Sequence, residues 1–230
     1  MAKKNKLGKF SDILSYPNVY ENYDPKDPKL IKDKETTVDM KGKWSTGHFE
    51  NDNPIVLELA CGRGEYCIAL AEVYPEKNFI GVDVKGARIW KGATIALMNK
   101  INNVAFLRTR IEQIGLFIDQ NEIEEIWITF PDPQIKYKRT KHRMTNSEFL
   151  KLYKRILKPD GVVNLKTDSE FMHGYTLGLL QGEGHDIIYA NHNVYNNEGS
   201  PEEVTGIQTF YEKQYLEINK PITYIRFKIK

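Results

Sequence analysis

Five short runs of this chain are apolar nearly from end to end, and stretches of helical character lie between them. The runs are Ile55 to Leu59, Asn78 to Asp83, Val104 to Leu107, Glu125 to Phe130 and Val162 to Lys166. A strand that is apolar on both faces has to be covered on both, and parallel neighbours need a crossover long enough to carry a helix. Helices are predicted over Glu65 to Val73, stopped by Pro75, from Ala87 to about Lys100, and over Ser147 to Leu157, ended by Pro159-Asp160-Gly161. Another begins at Ser169. Ile187 to Tyr189 reads as a further strand, and Tyr224 to Lys228 alternates as an edge strand would. The pattern predicts a single α/β domain over residues 54–230, with a doubly wound, mostly parallel sheet. In such sheets ligands bind at the carboxyl ends of the strands, which directs attention to the residues just after each one.

Residues 1–53 lack that periodicity and hold Pro17, Pro25 and Pro28 among scattered Lys and Asp. They are expected to form an irregular arm packed on the domain, with a frayed basic tip. Cys61 and Cys67 make neither a disulfide framework nor a zinc pattern, which fits a reduced compartment, and Cys61 has no base that would make it a nucleophile. No apolar run reaches the length of a membrane span, and the N-terminus lacks the apolar core of a signal peptide. A cytoplasmic protein with no membrane partner is expected. His142, His173, His185 and His192 do not fall at metal-ligand spacing, so no metal is expected either. No obligate protein partner is implied.

The fourth run closes on Thr129-Phe130-Pro131-Asp132-Pro133, which holds a carboxylate between prolines at a strand end. From Lys136 to Lys158, nine Lys and Arg stand against one acid, Glu148, a net of +8 on a chain whose formal charge is +2. Part of this stretch is the solvated face of an amphipathic helix, with Lys151, Lys154, Arg155 and Lys158 around Phe149, Leu150, Leu152 and Ile156. Lys138, Arg139, Lys141 and Arg143 remain as a set suited to a phosphate backbone. The compensating acids Glu122, Glu124 and Glu125 precede the fourth run, at the end of the sheet away from ligands. A rigid carboxylate beside a basic field points to chemistry on a nucleic acid.

The first run leads into Ala60-Cys61-Gly62-Arg63-Gly64-Glu65. Small residues at 60, 62 and 64 let the chain turn sharply and bring a ligand near main-chain amides. A dinucleotide fingerprint needs glycine at its sixth place, which here is Glu65 or Cys67 depending on the start, and an acid at a helix N-terminus does not welcome a pyrophosphate. Glu58 inside the strand end suits a cationic ligand free of phosphate, such as S-adenosylmethionine with its ammonium and sulfonium. Asp83, 25 residues after Glu58, ends the second run where a carboxylate accepts ribose hydroxyls. Taken singly, Gly62 and Gly64 could form a plain turn and Asp83 could cap the next helix. Together, strand, acid, small-residue turn, helix, strand and acid favour a methyl donor.

Glu58 with its turn, Asp83, Phe130-Pro131-Asp132-Pro133, Lys136 with the basic run, Lys166-Thr167-Asp168-Ser169-Glu170 and Thr209-Phe210-Tyr211-Glu212 resemble the bacterial tRNA (guanine-N7)-methyltransferases. The resemblance runs from about residue 54 to the C-terminus, and the Phe-Pro-Asp-Pro element with its basic run is its most specific part. It implies a seven-stranded, Rossmann-like methyltransferase sheet whose last strand is antiparallel. It also implies S-adenosylmethionine as donor, converted to S-adenosylhomocysteine, and guanine N7 in the variable loop of tRNA as acceptor. By position, Glu58, Gly62, Gly64, Asp83, Arg110 and Asp132 would meet the donor, with Asp132 also catalytic. Lys136, Asp168, Thr209, Phe210, Tyr211 and Glu212 would meet the guanosine. Lys138, Arg139, Thr140, Lys141, His142 and Arg143 would touch the RNA backbone.

The chain departs from the family pattern at Ala60, where glycine is usual, and at Gln134 and Ile135, where tryptophan and proline are common. It departs again at Arg110, where an acid often receives the adenine amino group. Arginine has no acceptor, so either the main chain of Arg110 and Ile111 or the side chain of Glu112 would read the adenine. Guanine N7 carries a free lone pair, so positioning and a carboxylate facing the developing charge should supply much of the catalysis. Asp132 is the expected carboxylate, with Asp168 or Glu212 sharing recognition of the base. Partial extrusion of the nucleotide would bring in Tyr137 or Tyr211 as stacking partners, unless these are ordinary packing residues. Competing readings are a methyltransferase for another RNA and a non-catalytic RNA-binding protein on the same fold.

Overall fold

The computed structural model describes residues 5–22, 24–34 and 36–230, and the basic tip Met1 to Lys4 lies outside these. The arm is less irregular than its sequence predicts. It forms α1 (Lys6–Ile13), β1 (Val19–Glu21), β2 (Leu30–Ile31), β3 (Thr37–Val38) and a π-helical turn over Ser45–Phe49. Strands of two or three residues are too short to show a period, and they exist here because they pair, with β1 fully buried. Tyr20 and Trp44 are fully buried, and the Trp44 indole N–H donates to the Phe117 carbonyl at 2.9 Å.

The apolar runs become β4 (Ile55–Leu59), β5 (Asn78–Asp83), β6 (Val104–Arg108), β7 (Ile123–Thr129) and β8 (Leu157–Thr167). Between them lie α2 (Glu65–Val73), α3 (Gly86–Met98) and α4 (Ser147–Ile156). After β8 come α5 (Glu170–Gly182), β9 (Asp186–Asn191), α6 (Glu202–Thr205), α7 (Phe210–Glu217) and β10 (Thr223–Lys228). Side-chain caps fix two of the helix starts: Asn146 accepts from the Phe149 amide at 3.0 Å and Ser169 from the Met172 amide at 3.2 Å.

All ten strands share one sheet in the order β3-β2-β1-β6-β5-β4-β7-β8-β10-β9. Seven of them, β4 to β10, come from residues 54–230, and β10 runs antiparallel to both neighbours. The arm adds three more, β1 pairing parallel with β6 through Val19 and Phe106. β10 is not the edge strand its alternation suggests; it lies between β8 and β9, and β9 is the edge. The alternation reflects a thinly covered sheet face, on which Arg226 and Lys228 stay half-exposed. Helices α4 and α5 cover one face together with Trp44 and Phe49, while α1, α2 and α3 cover the other. The strand order reverses at β4, which pairs in parallel with both β5 and β7. A crevice therefore opens above the ends of β4 and β7. Among the described residues no helix is long and apolar enough to cross a membrane.

Candidate active site

The turn after β4 places Ala60, Gly62 and Gly64 in the left-handed region, with φ of 58°, 58° and 66°. Gly64 has a second reason to lack a side chain, since a Cβ there would sit 2.6 Å from the Phe106 ring. Asp83 stitches this turn to the start of α3, accepting from the Gly62 amide at 3.0 Å and the Lys85 amide at 2.7 Å.

Glu58 is buried at the end of β4. Its carboxyl accepts from the Cys67 amide of α2 at 2.9 Å and from the Thr129 hydroxyl of β7 at 2.7 Å. Burial pushes its pKa up to about 8, against the two hydrogen bonds and with Asp83 and Glu65 nearby adding to the rise. Such a group ionises readily only when a cation comes to it.

Two clefts meet over the crevice. One, of about 390 Å³, is lined by Glu58, Gly62, Arg63, Thr209 and Tyr211. The other, of about 590 Å³, is lined by Asp83, Thr109, Arg110, Glu112, Asp132 and His142 among others. Ala60, Arg88 and Phe130 line both. Thr109 is buried in the second, and among the described residues its hydroxyl has no hydrogen-bond partner. A desolvated carboxyl in one lobe, a strand-end carboxylate in the other and an orphan hydroxyl beside it fit an elongated, cationic nucleoside. S-adenosylmethionine has that form, with Glu58 suited to its cationic end and Asp83 to its ribose.

Asp132 stands exposed at the mouth of the second cleft and makes no ion pair or hydrogen bond among the described residues. The loop that carries it is strained at both ends, with Phe130 at φ 48° and Gln134 at φ 47°. A bulky residue before proline normally stays extended, and such outliers cost on the order of 1–3 kcal/mol each. The Phe130 amide is held by the Lys166 carbonyl at 2.8 Å. Arg143 holds the other end, donating to the Gln134 and Ile135 carbonyls at 3.2 and 3.1 Å.

Arg143 is a correction to the predicted RNA-contacting set. Its side chain is buried, with the guanidinium 4.8 Å from the Phe171 ring centroid and 4.5 Å from that of Tyr175. Lys136, Lys138, Arg139 and Lys141 are exposed as expected, and Thr140 and His142 are half-exposed. Lys136 lines neither cleft.

Glu212 is a second correction. It is fully buried, ion-paired to the equally buried Lys166 at 2.6 Å and accepting from the Tyr195 hydroxyl at 2.7 Å. With Thr209 it forms the capping box of α7, so it organises the segment from within and does not face a base. Lys166, passed over as a site residue in the sequence, also donates to the carbonyls of Val204 and Ile207 at 2.5 and 2.9 Å. Burial lowers its pKa and Glu212 opposes that fall. The visible signal was a lone cation ending an otherwise apolar strand. Phe210 and Tyr211 remain half-exposed, with Arg63 lying 5.6 Å over the Phe210 ring. Asp168 lines neither cleft and is ion-paired to Lys220.

A cleft at the strand-order reversal, with carboxyl groups at successive strand ends and a demand for a cation, defines a Rossmann-like, S-adenosylmethionine-dependent methyltransferase. The family model described as "Putative methyltransferase" matches residues 52–225. The tRNA (guanine-N(7)-)-methyltransferase of Christiangramia forsetii is 61% identical over 230 residues, all of both chains. That of Bacteroides fragilis is 47% identical over 97% of this chain and 85% of its own. Among solved structures, the 16S rRNA methyltransferase KamB matches with a TM-score of 0.61 at 12% identity, over 85% of this chain and 97% of that one, a likeness of fold. The chain belongs to the tRNA (guanine-N7)-methyltransferase family.

Proposed function

We infer that this protein transfers a methyl group from S-adenosylmethionine to N7 of a guanine in the variable loop of tRNA, forming 7-methylguanosine. The structural observation that carries the reading is Asp132: an unpartnered carboxylate on a strained prolyl loop, between a cleft fitted to the donor and an exposed basic turn. Family membership supports the same acceptor.

When bound, the donor supplies an electrophilic methyl on a sulfonium, and guanine N7 can accept it without prior deprotonation. Glu58 would hold the cationic end of the donor and Asp83 the ribose hydroxyls, while the main chain near Arg110 and Ile111, with Thr109, would meet the adenine. Asp132 would accept from the N1–H and amino group of guanine, which fixes the base and favours the positive charge it gains. Tyr211, which lines the first cleft, would stack on an extruded base, and the exposed cations from Lys136 to Lys141 would hold the adjacent phosphates. The test is transfer of labelled methyl to unmodified bulk tRNA followed by nucleoside analysis. 7-Methylguanosine is expected, and any other methylated nucleoside overturns the acceptor.

A further inference from the structure

The basic turn after β7 is not the only cationic bank of the crevice. Lys85, Arg88 and Lys91 follow one another at intervals of three along the start of α3, and all are exposed. Helix α1 lies against α3: the Trp90 indole donates to Asp12 at 2.8 Å, and the Tyr16 and Thr94 hydroxyls meet at 2.9 Å. That docking sets the Lys9 ammonium 4.9 Å from the Trp90 ring centroid, beside the same stripe. Lys9, Arg88 and Lys91 line the cleft that also holds Glu58 and Tyr211.

These cations are uncompensated. Among the described residues Lys9, Lys85, Arg88 and Lys91 form no ion pair. No acid occupies the first turn of α3, and the carboxylate at its N-terminus, Asp83, is taken up by the Gly62 and Lys85 amides. Some lysines elsewhere on the surface are answered, as Lys43 is by Asp39, Lys151 by Glu148 and Lys158 by Glu124. Four unanswered cations from two elements, with Lys9, Arg88 and Lys91 in the first cleft and Lys85 in the second, make a surface for a polyanion.

We propose that Lys9, Lys85, Arg88 and Lys91 form a second RNA-binding bank, which takes backbone phosphates of tRNA on the side of the crevice opposite the Lys136–Lys141 turn. This rests on the proposed tRNA substrate. Phe130 lines both clefts, so a strand delivering its base there would have charge partners before and after the target nucleotide. The arm thereby becomes part of the substrate site, through Lys9 and through the seating of α1 on α3.

The test compares the unaltered chain with a Lys9→Gln, Lys85→Gln, Lys91→Gln variant. Arg88 is left in place because it lines both clefts. Binding of unmodified tRNA is titrated across salt concentrations, and S-adenosylhomocysteine binding is followed by calorimetry. Each phosphate that the variant no longer neutralises lowers the slope of log K against log salt by roughly 0.7–0.9. A slope reduced by about 1.5–2.5, with tRNA affinity down about tenfold or more at low salt and well beyond any fall in product affinity, is the expected result. An unchanged slope, or a loss confined to S-adenosylhomocysteine binding, overturns the second bank while methylation by the unaltered chain leaves the function standing. An unaltered chain that neither binds nor methylates tRNA overturns both.

Discussion

Glu58 holds a carboxyl almost out of the reach of water, and the consequence is a proton. In the folded chain its pKa is pushed up to about 8, against an ordinary value of 4.5. Between those values the folded state keeps a proton the unfolded state gives up, so this residue's contribution to stability falls as pH rises from about 4.5 to about 8. Glu58→Gln should flatten that dependence and raise stability near pH 8, as denaturant titrations at several pH values would register. The same residue should couple donor binding to ionisation. Calorimetry of S-adenosylmethionine binding near pH 7, in buffers of different ionisation enthalpy, should show proton release from the unaltered chain and none from the Gln variant; equal heats in all buffers would refute the coupling. Asp132 stands exposed at the end of its loop and should separate binding from chemistry. Asp132→Asn is expected to slow single-turnover transfer by roughly 10²–10³-fold, the magnitude typical of losing one preorganised electrostatic group, with donor affinity changed by less than about threefold. Parallel losses in both would count against its assigned role. Ala60, at φ 58°, carries a simpler prediction. Ala60→Gly relieves a left-handed alanine and should stabilise the fold by about 1 kcal/mol, seen as a raised urea midpoint.

At the scale of elements, two buried cations decide the shape of the site. Lys166 gathers Val204, Ile207 and Glu212 onto the end of β8, which seats the segment carrying Thr209 and Tyr211. Removing one partner of a buried pair costs about 3–5 kcal/mol. Lys166→Met should therefore destabilise by that order and raise KM for tRNA, while Glu58 still binds donor. A variant with unaltered stability would show that the pair contributes nothing. Much of this architecture was legible. β4, α2 and β5 fall where the apolar runs and Pro75 put them, because a core strand must be apolar throughout and a proline ends a helix. Glu58, Gly62, Thr209 and Tyr211 were singled out by spacing and resemblance, and they share a cleft. Arg143 was not legible as a brace, because one arginine in a run of cations looks like its neighbours until Phe171 and Tyr175 are seen beneath it. Glu212 could have been read better: threonine followed three residues later by glutamate is a capping-box pattern, and such a glutamate is engaged by its own backbone. β10 misled for a different reason, since alternation reports one open face and says nothing about neighbours in the sheet.

The whole molecule raises the question of whether residues 1–53 are an appendage or part of the fold. We expect the second. β1 is hydrogen-bonded to β6, α1 rests on α3, and Trp44 is buried with its indole on the Phe117 carbonyl and its ring edge-on to Tyr20 at 4.9 Å. The side chain of Glu122, at the head of β7, accepts from the Trp44 and Gly42 amides at 3.2 and 3.1 Å, so the arm is tied to the central strands as well as to the edge. Those contacts cross the 53/54 boundary at many points, and a unit so joined cannot unfold without uncovering β6. Trp44→Ala opens a cavity between the arm and the sheet and should cost about 3–5 kcal/mol. Because the arm and the sheet share one core, that loss should move a single unfolding transition to lower urea with its steepness unchanged. An early step involving only the arm, with the donor-binding transition left where it was, would instead make residues 1–53 a separable unit. The distinction reaches function: if the transition is single, destabilising the arm also loosens α1 from α3, and with it one bank of the proposed RNA surface.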